Sequence, residues 1–200
     1  MTSGLKHLPG FFDRDAQETV VVALREALAE APFYTPVMPR SGRPYTVRMS
    51  NLGALGWVST REGYRYQATH PETSEAWPAI PPLVMDVWHR VSDYGPEPQA
   101  CLVNYYREGA KLGLHRDEDE EDFAAPVVSI SLGDTAIFRI GGTERGGKTE
   151  TLKLSSGDVL VMGGASRLRY HGIDRVLSGT STLLKEGGRI NLTLRRVTKP

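Results

Sequence analysis

Cysteine is nearly absent from this chain. Cys101 stands alone, which excludes an internal disulfide and removes any reason to place the protein in an oxidising compartment. Net charge is absent as well: 24 basic residues balance 24 acidic ones. That excludes a protein that coats duplex nucleic acid through bulk electrostatics. Nor is there a long apolar run. The N-terminal stretch 20–24 lies between Glu18 and Arg25 and is far too short to span a bilayer, and no signal-peptide pattern opens the chain. Internal repeats and low-complexity tails are missing too. The expectation is a cytoplasmic protein with no membrane partner, and nothing requires more than a monomer.

What is present suits one domain. Two hundred residues are enough for a substantial core and short for two, and 21 Gly with 13 Pro favour turns and short strands over long helices. Charge is uneven along the chain. Arg40, Arg43, Arg48, Arg61 and Arg65 form a local basic stretch broken only by Glu62, whereas acids run without a break from Asp117 to Asp122. On charge alone that run reads as a solvated loop.

Residues 15–31 have the stripe of an amphipathic helix (Val20, Leu24, Ala27, Leu28, Ala31), with Asp15 and Glu18 spaced as a capping box. A second helix is expected after Pro81 and Pro82, with Val84, Val87, Trp88 and Val91 on one face. The Gly-, Pro- and aromatic-rich stretch 33–78 between them reads as a polar loop-and-strand excursion outside the core. From residue 99 short strands follow one another at 101–105, 127–132, 136–140, 149–154, 158–162, 169–173 and 189–197, several of them separated by glycine-rich turns. The predicted fold is therefore mainly β with N-terminal α-helices. It is a single domain, 1–200, in which 33–78 is an insertion and 99–200 a β-sandwich or jelly-roll core.

Five histidines could hold a metal. His7, His70 and His89 have no evident partner and read as bland, whereas His115 and His171 fall in the β region. His115-Arg116-Asp117 places an imidazole and a carboxylate on the same side of an extended backbone. His171 could close a third corner. Two histidines and one carboxylate with open positions suit a non-haem iron(II) oxygenase, although zinc fits the same set. The last strand adds a second signal. Arg189, Asn191, Thr193 and Arg195 alternate with Ile190, Leu192 and Leu194, and two arginines on one strand face could grip a dicarboxylic acid bidentately. An ordinary half-exposed strand alternates in the same way. Cys101, in an apolar strand, reads as core.

Taken together and in order, Asn104-Tyr105-Tyr106, Gly109-Ala110-Lys111-Leu112, His115-Arg116-Asp117, Ser166-Arg167-Leu168-Arg169-Tyr170-His171-Gly172, Arg189-x-Asn191 and Arg195 resemble the AlkB family of nucleic-acid dealkylases. The similarity runs from about Phe33 to Arg196. It implies a double-stranded β-helix core, with Fe(II) held by His115, Asp117 and His171. It implies 2-oxoglutarate held at its distal carboxylate by Arg189, Tyr106 and Asn191 and at its chelating end by Arg195 and Asn104, with O₂ as the other co-substrate. The resemblance also makes 33–78 a nucleotide-recognition lid, in which Trp57 stacks on a flipped base, Met49 lines its pocket and Tyr64 and Tyr66 meet the nucleic-acid backbone. Asp119 would read the exocyclic amino group, and Arg145 would touch the substrate strand. The implied substrate is alkylated single-stranded DNA, with RNA as an alternative, carrying lesions of the 1-methyladenine and 3-methylcytosine type. Met162 departs from the pattern, standing where close bacterial members tend to carry an aromatic residue.

Three rivals stay open on the sequence: an oxygenase with a protein or small-molecule substrate, a zinc hydrolase, and a non-catalytic module that recognises modified nucleic acid.

Overall fold

The structure, a computed structural model, describes residues 4–200. Two helices, α1 (Arg14–Glu30) and α2 (Pro82–Val91), accompany twelve strands. These are β1 (Leu5–Leu8), β2 (Arg48–Leu52), β3 (Gly56–Thr60), β4 (Gly63–Gln67), β5 (Ala100–Tyr106) and β6 (Leu112–His115), then β7 (Val127–Gly133), β8 (Thr135–Ile140), β9 (Glu150–Leu154), β10 (Val159–Met162), β11 (His171–Leu177) and β12 (Arg189–Arg195). A six-stranded sheet runs β1-β10-β7-β12-β5-β2, a four-stranded sheet runs β6-β11-β8-β9, and β3 and β4 pair only with each other.

Period-two alternation sorts the large sheet into two cores. Cys101, Val103, Val128, Ile130, Leu192 and Leu194 join α1 and α2 in one apolar cluster. Leu102, Tyr106, Val127, Leu160 and Met162 join Phe138, Ile140 and Ile173 of the small sheet in the other. The helices thus cover the back of the large sheet, and its front packs on the small sheet as in a jelly roll. All seven residues of β12 are buried, so the half-exposed reading of that strand does not hold.

Other expectations need correction. The cap of α1 is Asp13, whose carboxylate accepts from Ala16 N at 2.9 Å; Glu18 pairs instead with Arg14 one turn back. Pro82 opens α2, where its missing N–H costs nothing. The stretch 33–78 is not outside the core, because β2 edges the large sheet beside β5 and Val47, Met49, Leu52 and Val58 are buried. Its polar residues disguise this by making their own bonds. Ser50 Oγ donates to Ala31 O at 2.7 Å, and the Asn51 amide exchanges two bonds of 3.0 Å with the backbone of Trp57. Strand β11 starts at His171, two residues later than expected, and β1 and β6 are strands the spacing did not reveal.

Candidate functional site

His115 ends β6 and His171 begins β11, and the two residues are direct partners in the antiparallel pair. Gly172 makes that pairing close: a Cβ there would sit 2.5 Å from Leu112 O and 2.7 Å from Gly113 O. The two imidazole centroids lie 4.6 Å apart. Each ring is oriented the same way, with Nδ1 on a backbone carbonyl two residues back (Gly113 at 2.9 Å, Arg169 at 3.0 Å), which leaves both Nε2 atoms free to ligate. Asp117 completes the set at 3.8 Å from His115 Nε2 and 3.9 Å from His171 Nε2. One ligand atom from each of the three falls within 4.8 Å of the others, and no other such trio occurs among the described residues.

The electrostatics prepare these groups to hold a cation. Burial would raise the Asp117 carboxyl, but Arg195, whose Nη2 donates to Oδ1 at 2.9 Å, and the two imidazoles hold it well below the usual carboxylate range. Burial pushes His171 down to about 4, helped by the neighbouring His115, so the ring stays neutral. Asp117 Oδ2 is buried without a hydrogen-bond partner. Such a donor set fits Fe(II) with open positions, and the leftover carboxylate oxygen is one the metal would satisfy.

Beside the trio, the front face of β12 presents Arg189, Asn191, Thr193 and Arg195. Arg189 is 0% exposed. Its bonds go to Ser131 Oγ at 2.9 Å and Leu154 O at 3.4 Å, neither of them a carboxylate, and its Nε has no partner. Burial pushes this guanidinium down to about 10. A buried cation without its own anion is costly and invites a ligand carboxylate. Tyr106 lies directly across from Arg189 and Asn104 directly across from Asn191, and Asn104 Oδ1 is also unpartnered.

A cavity of about 440 Å³ gathers the trio, both arginines, Asn104, Tyr106, Asn191, Met49, Trp57, Tyr64, Asp119 and Arg145, with Met162 in its wall. At its mouth the Trp57 and Tyr64 rings stack 5.2 Å apart, with Tyr64 half exposed. Trp57 Nε1 donates to Asp119 Oδ2 at 2.7 Å. Arg145 sits in an exposed turn at the rim. Of the residues given a site role from the sequence, Tyr66 alone is not in the lining. Its hydroxyl donates to Glu120 and lies 3.4 Å from Arg195 Nη1, turned inward. A larger cleft of about 720 Å³ beside α1 contains none of this chemistry.

The acidic run is not a solvated loop. Asp117, Glu120 and Asp122 are buried, and Glu120 lies between Arg167, at 3.0 Å, and Arg195, at 3.6 Å. Charge counting missed this because the two arginines that neutralise Glu120 come from segments about 50 and 75 residues downstream of it. His7 and His70 have structural work instead. His7 pairs with Asp158 at 2.9 Å, and buried His70 bonds Pro32 O at 2.8 Å.

The sequence matches the model of the 2OG-Fe(II) oxygenase superfamily over residues 4–195. It is 50% identical over 188 residues, 94% of this chain and 85% of the relative, to an alpha-ketoglutarate-dependent dioxygenase AlkB homolog of Caulobacter vibrioides. It is 41% identical over 192 residues, 94% and 88% of the two chains, to alpha-ketoglutarate-dependent dioxygenase AlkB of Escherichia coli. The solved structure of OsALKBH1 superposes with a TM-score of 0.79 at 32% identity, covering 98% of this chain and 99% of that one. No helix among the described residues is long and apolar enough to cross a membrane.

Proposed function

The chain belongs to the 2OG-Fe(II) oxygenase superfamily and to its AlkB-type dioxygenases, and on that premise we propose that it removes alkyl groups from nucleic-acid bases by oxidation. The observation that carries the co-substrate assignment is Arg189, a buried guanidinium with no carboxylate among its hydrogen-bond partners, on the same strand face as Arg195. In this reading His115, Asp117 and His171 hold Fe(II). Arg189, with Tyr106 and Asn191, takes the distal carboxylate of 2-oxoglutarate, and Arg195 with Asn104 orients the end nearer the metal. Iron, 2-oxoglutarate and O₂ supply the oxidising power, and 2-oxoglutarate leaves as succinate and CO₂. A methyl group so hydroxylated would then depart as formaldehyde, its ring nitrogen keeping the electron pair of the broken C–N bond.

The protein's own part is to position and enclose. The hairpin β3–β4 offers the Trp57 ring as a stacking surface, worth about 1–3 kcal/mol per base. Met49 closes one side of the pocket. Asp119, whose pKa is raised by partial desolvation, accepts from an exocyclic amino group in this reading and favours a cationic methylated base. Tyr64 and Arg145 stand at the rim, where the strand would pass. Tyr66 acts from inside, through its hydroxyl on Glu120. Lesions of the 1-methyladenine and 3-methylcytosine type in single strands are the preferred substrate, because extruding an unpaired base costs least. One domain acting as a monomer suffices, with 33–78 as its substrate-facing insertion.

The test is anaerobic loading with Fe(II), then 2-oxoglutarate, air and a single-stranded oligonucleotide carrying one 1-methyladenine, followed by mass spectrometry. Loss of the methyl group that requires both iron and 2-oxoglutarate is expected. Succinate formed while the oligonucleotide stays intact would retain the oxygenase and reject the substrate.

A further inference from the structure

Arg167 does not line the cavity and carries no role in the reading above, yet it is among the most buried charges in the molecule, at 2% exposure. Its guanidinium spends three N–H groups on one loop. Nη1 donates to Asp117 O at 2.7 Å, Nε to Ala125 O at 2.9 Å, and Nη2 to Glu120 Oε2 at 3.0 Å. The plane also lies over the Phe123 ring, 5.4 Å from its centroid. One side chain therefore holds the start, middle and end of the segment 117–125. Resting on the functional reading above, we infer that Arg167 is a positioning residue that sets the metal-facing angle of Asp117 and the base-facing angle of Asp119.

The segment needs such a clamp. It opens with six consecutive carboxylates, Asp117 to Asp122, whose mutual repulsion favours a splayed loop. Three of them have fixed tasks in different directions. Asp117 faces the two imidazoles, Asp119 accepts from Trp57, and Glu120 accepts from Tyr66. Trp57 and Tyr66 are direct partners across the β3–β4 hairpin, so two adjacent carboxylates hold both sides of that hairpin at one point. A rotation of the loop would displace the metal ligand and the base-stacking ring together. The three acceptors are met from three separate nitrogens of a planar fork; a lysine ammonium, with its three donors on a single nitrogen, can neutralise Glu120 but cannot span to both carbonyls as well.

The clamp is itself fixed close to a second metal-facing residue. Arg167 follows a 3-10 turn, with its N–H on Gly164 O at 3.1 Å, and the same short segment leads to His171 four residues on. Arg167 thus references Asp117 to the backbone that carries His171.

The experiment uses Arg167→Lys and Arg167→Gly, the latter with and without added guanidinium ion, in the full chain. Three quantities are read: Mn(II) affinity of the metal-free protein, hydrogen-exchange protection of amides 118–125, and succinate formed per base repaired. For Arg167→Lys with a cooperative melt, Mn(II) affinity falls about tenfold, the scale at which outer partners of metal ligands act. Loop protection falls with it, and the succinate-to-repair ratio rises. Guanidinium ion restores part of each in Arg167→Gly. A folded Arg167→Lys with wild-type Mn(II) affinity, protection and ratio would overturn the inference whatever its melting temperature. So would variants that do not fold and that guanidinium does not rescue, since Arg167 would then serve folding alone. Wild-type protein that binds no Mn(II) would instead refute the metal assignment, while loop protection would still report on the clamp.

Discussion

His115 and His171 face one another across β6 and β11 with their ring centroids 4.6 Å apart, and the glycine that follows His171 sets that spacing. A methyl group at Gly172 would have to displace the β6 backbone, since its neighbours are Leu112 O and Gly113 O, not movable side-chain ends. Gly172→Ala should destabilise the fold by about 1–3 kcal/mol, as overpacking does. It should also weaken Mn(II) binding beyond what the unfolded fraction explains. Calorimetric titration on the folded fraction checks this; full Mn(II) affinity would mean that β6 can move without dragging His115.

Arg189 yields a prediction in two directions. Replacing it with methionine removes a buried cation that has no anion of its own, so the metal-loaded variant without 2-oxoglutarate should be at least as stable as the wild type. The cost should appear with ligand. Wild-type protein at 100 times the dissociation constant of 2-oxoglutarate gains about 2.7 kcal/mol, and Arg189→Met should gain almost none. Thermal melts with and without 2-oxoglutarate decide the matter, and equal ligand stabilisation would remove Arg189 from the co-substrate site.

Trp57 should separate the two halves of the reaction. The ring stacks on Tyr64 and donates to Asp119, whereas the imidazoles and β12 arginines are held by other contacts. Trp57→Ala should therefore leave oligonucleotide-independent succinate formation within about twofold of wild type and cut repair by about 5- to 150-fold, the equivalent of about 1–3 kcal/mol for a lost base stack. Parallel loss of both activities would make Trp57 a folding residue.

The metal-free protein should lose stability in mild acid. His171 is held down to about 4 from an ordinary value of 6.5, so below pH 6.5 the unfolded chain takes up a proton that the folded site refuses. The contribution is fully present above pH 6.5, declines as pH falls, and amounts to about 3 kcal/mol lost by pH 4. The depressed Asp117 carboxyl pulls in the same direction below pH 4. Urea unfolding of metal-free protein between pH 4 and 7 should show this slope, and His171→Gln should flatten it. An unchanged slope in that variant would place the acid sensitivity elsewhere.

What the sequence displayed best was periodicity and order. The β12 alternation, the H-x-D triplet and the later histidine were all visible as spacing, because extended backbone turns spacing directly into direction. What it hid were bonds between distant segments. Ser50 and Asn51 suggest a strand outside the core because they are polar, yet both are buried with their side chains satisfied, Ser50 by Ala31 nineteen residues back and Asn51 by the backbone of Trp57. Glu120 looked solvated because Arg167 and Arg195 are far along the chain. Arg167 lies within the stretch Ser166–Gly172, but its significance rests on the carbonyls and the carboxylate it meets, which spacing does not reveal. Tyr66 is expected from the family resemblance to meet the nucleic-acid backbone, but its hydroxyl turns inward onto Glu120, a partner 54 residues away that no local pattern reveals.

The hairpin β3–β4 shares no ladder with any other strand, whereas β12 lies in the middle of the large sheet between β7 and β5. Mutations therefore meet very different resistance in the two places. A change in β12 disturbs two ladders and two cores, but a change at the hairpin's outer positions is answered chiefly by Asn51, Asp119 and Glu120. Under selection the oxidising machinery would stay nearly fixed while the substrate-facing ribbon drifted, and one inherited chemistry could be offered to a succession of different lesions.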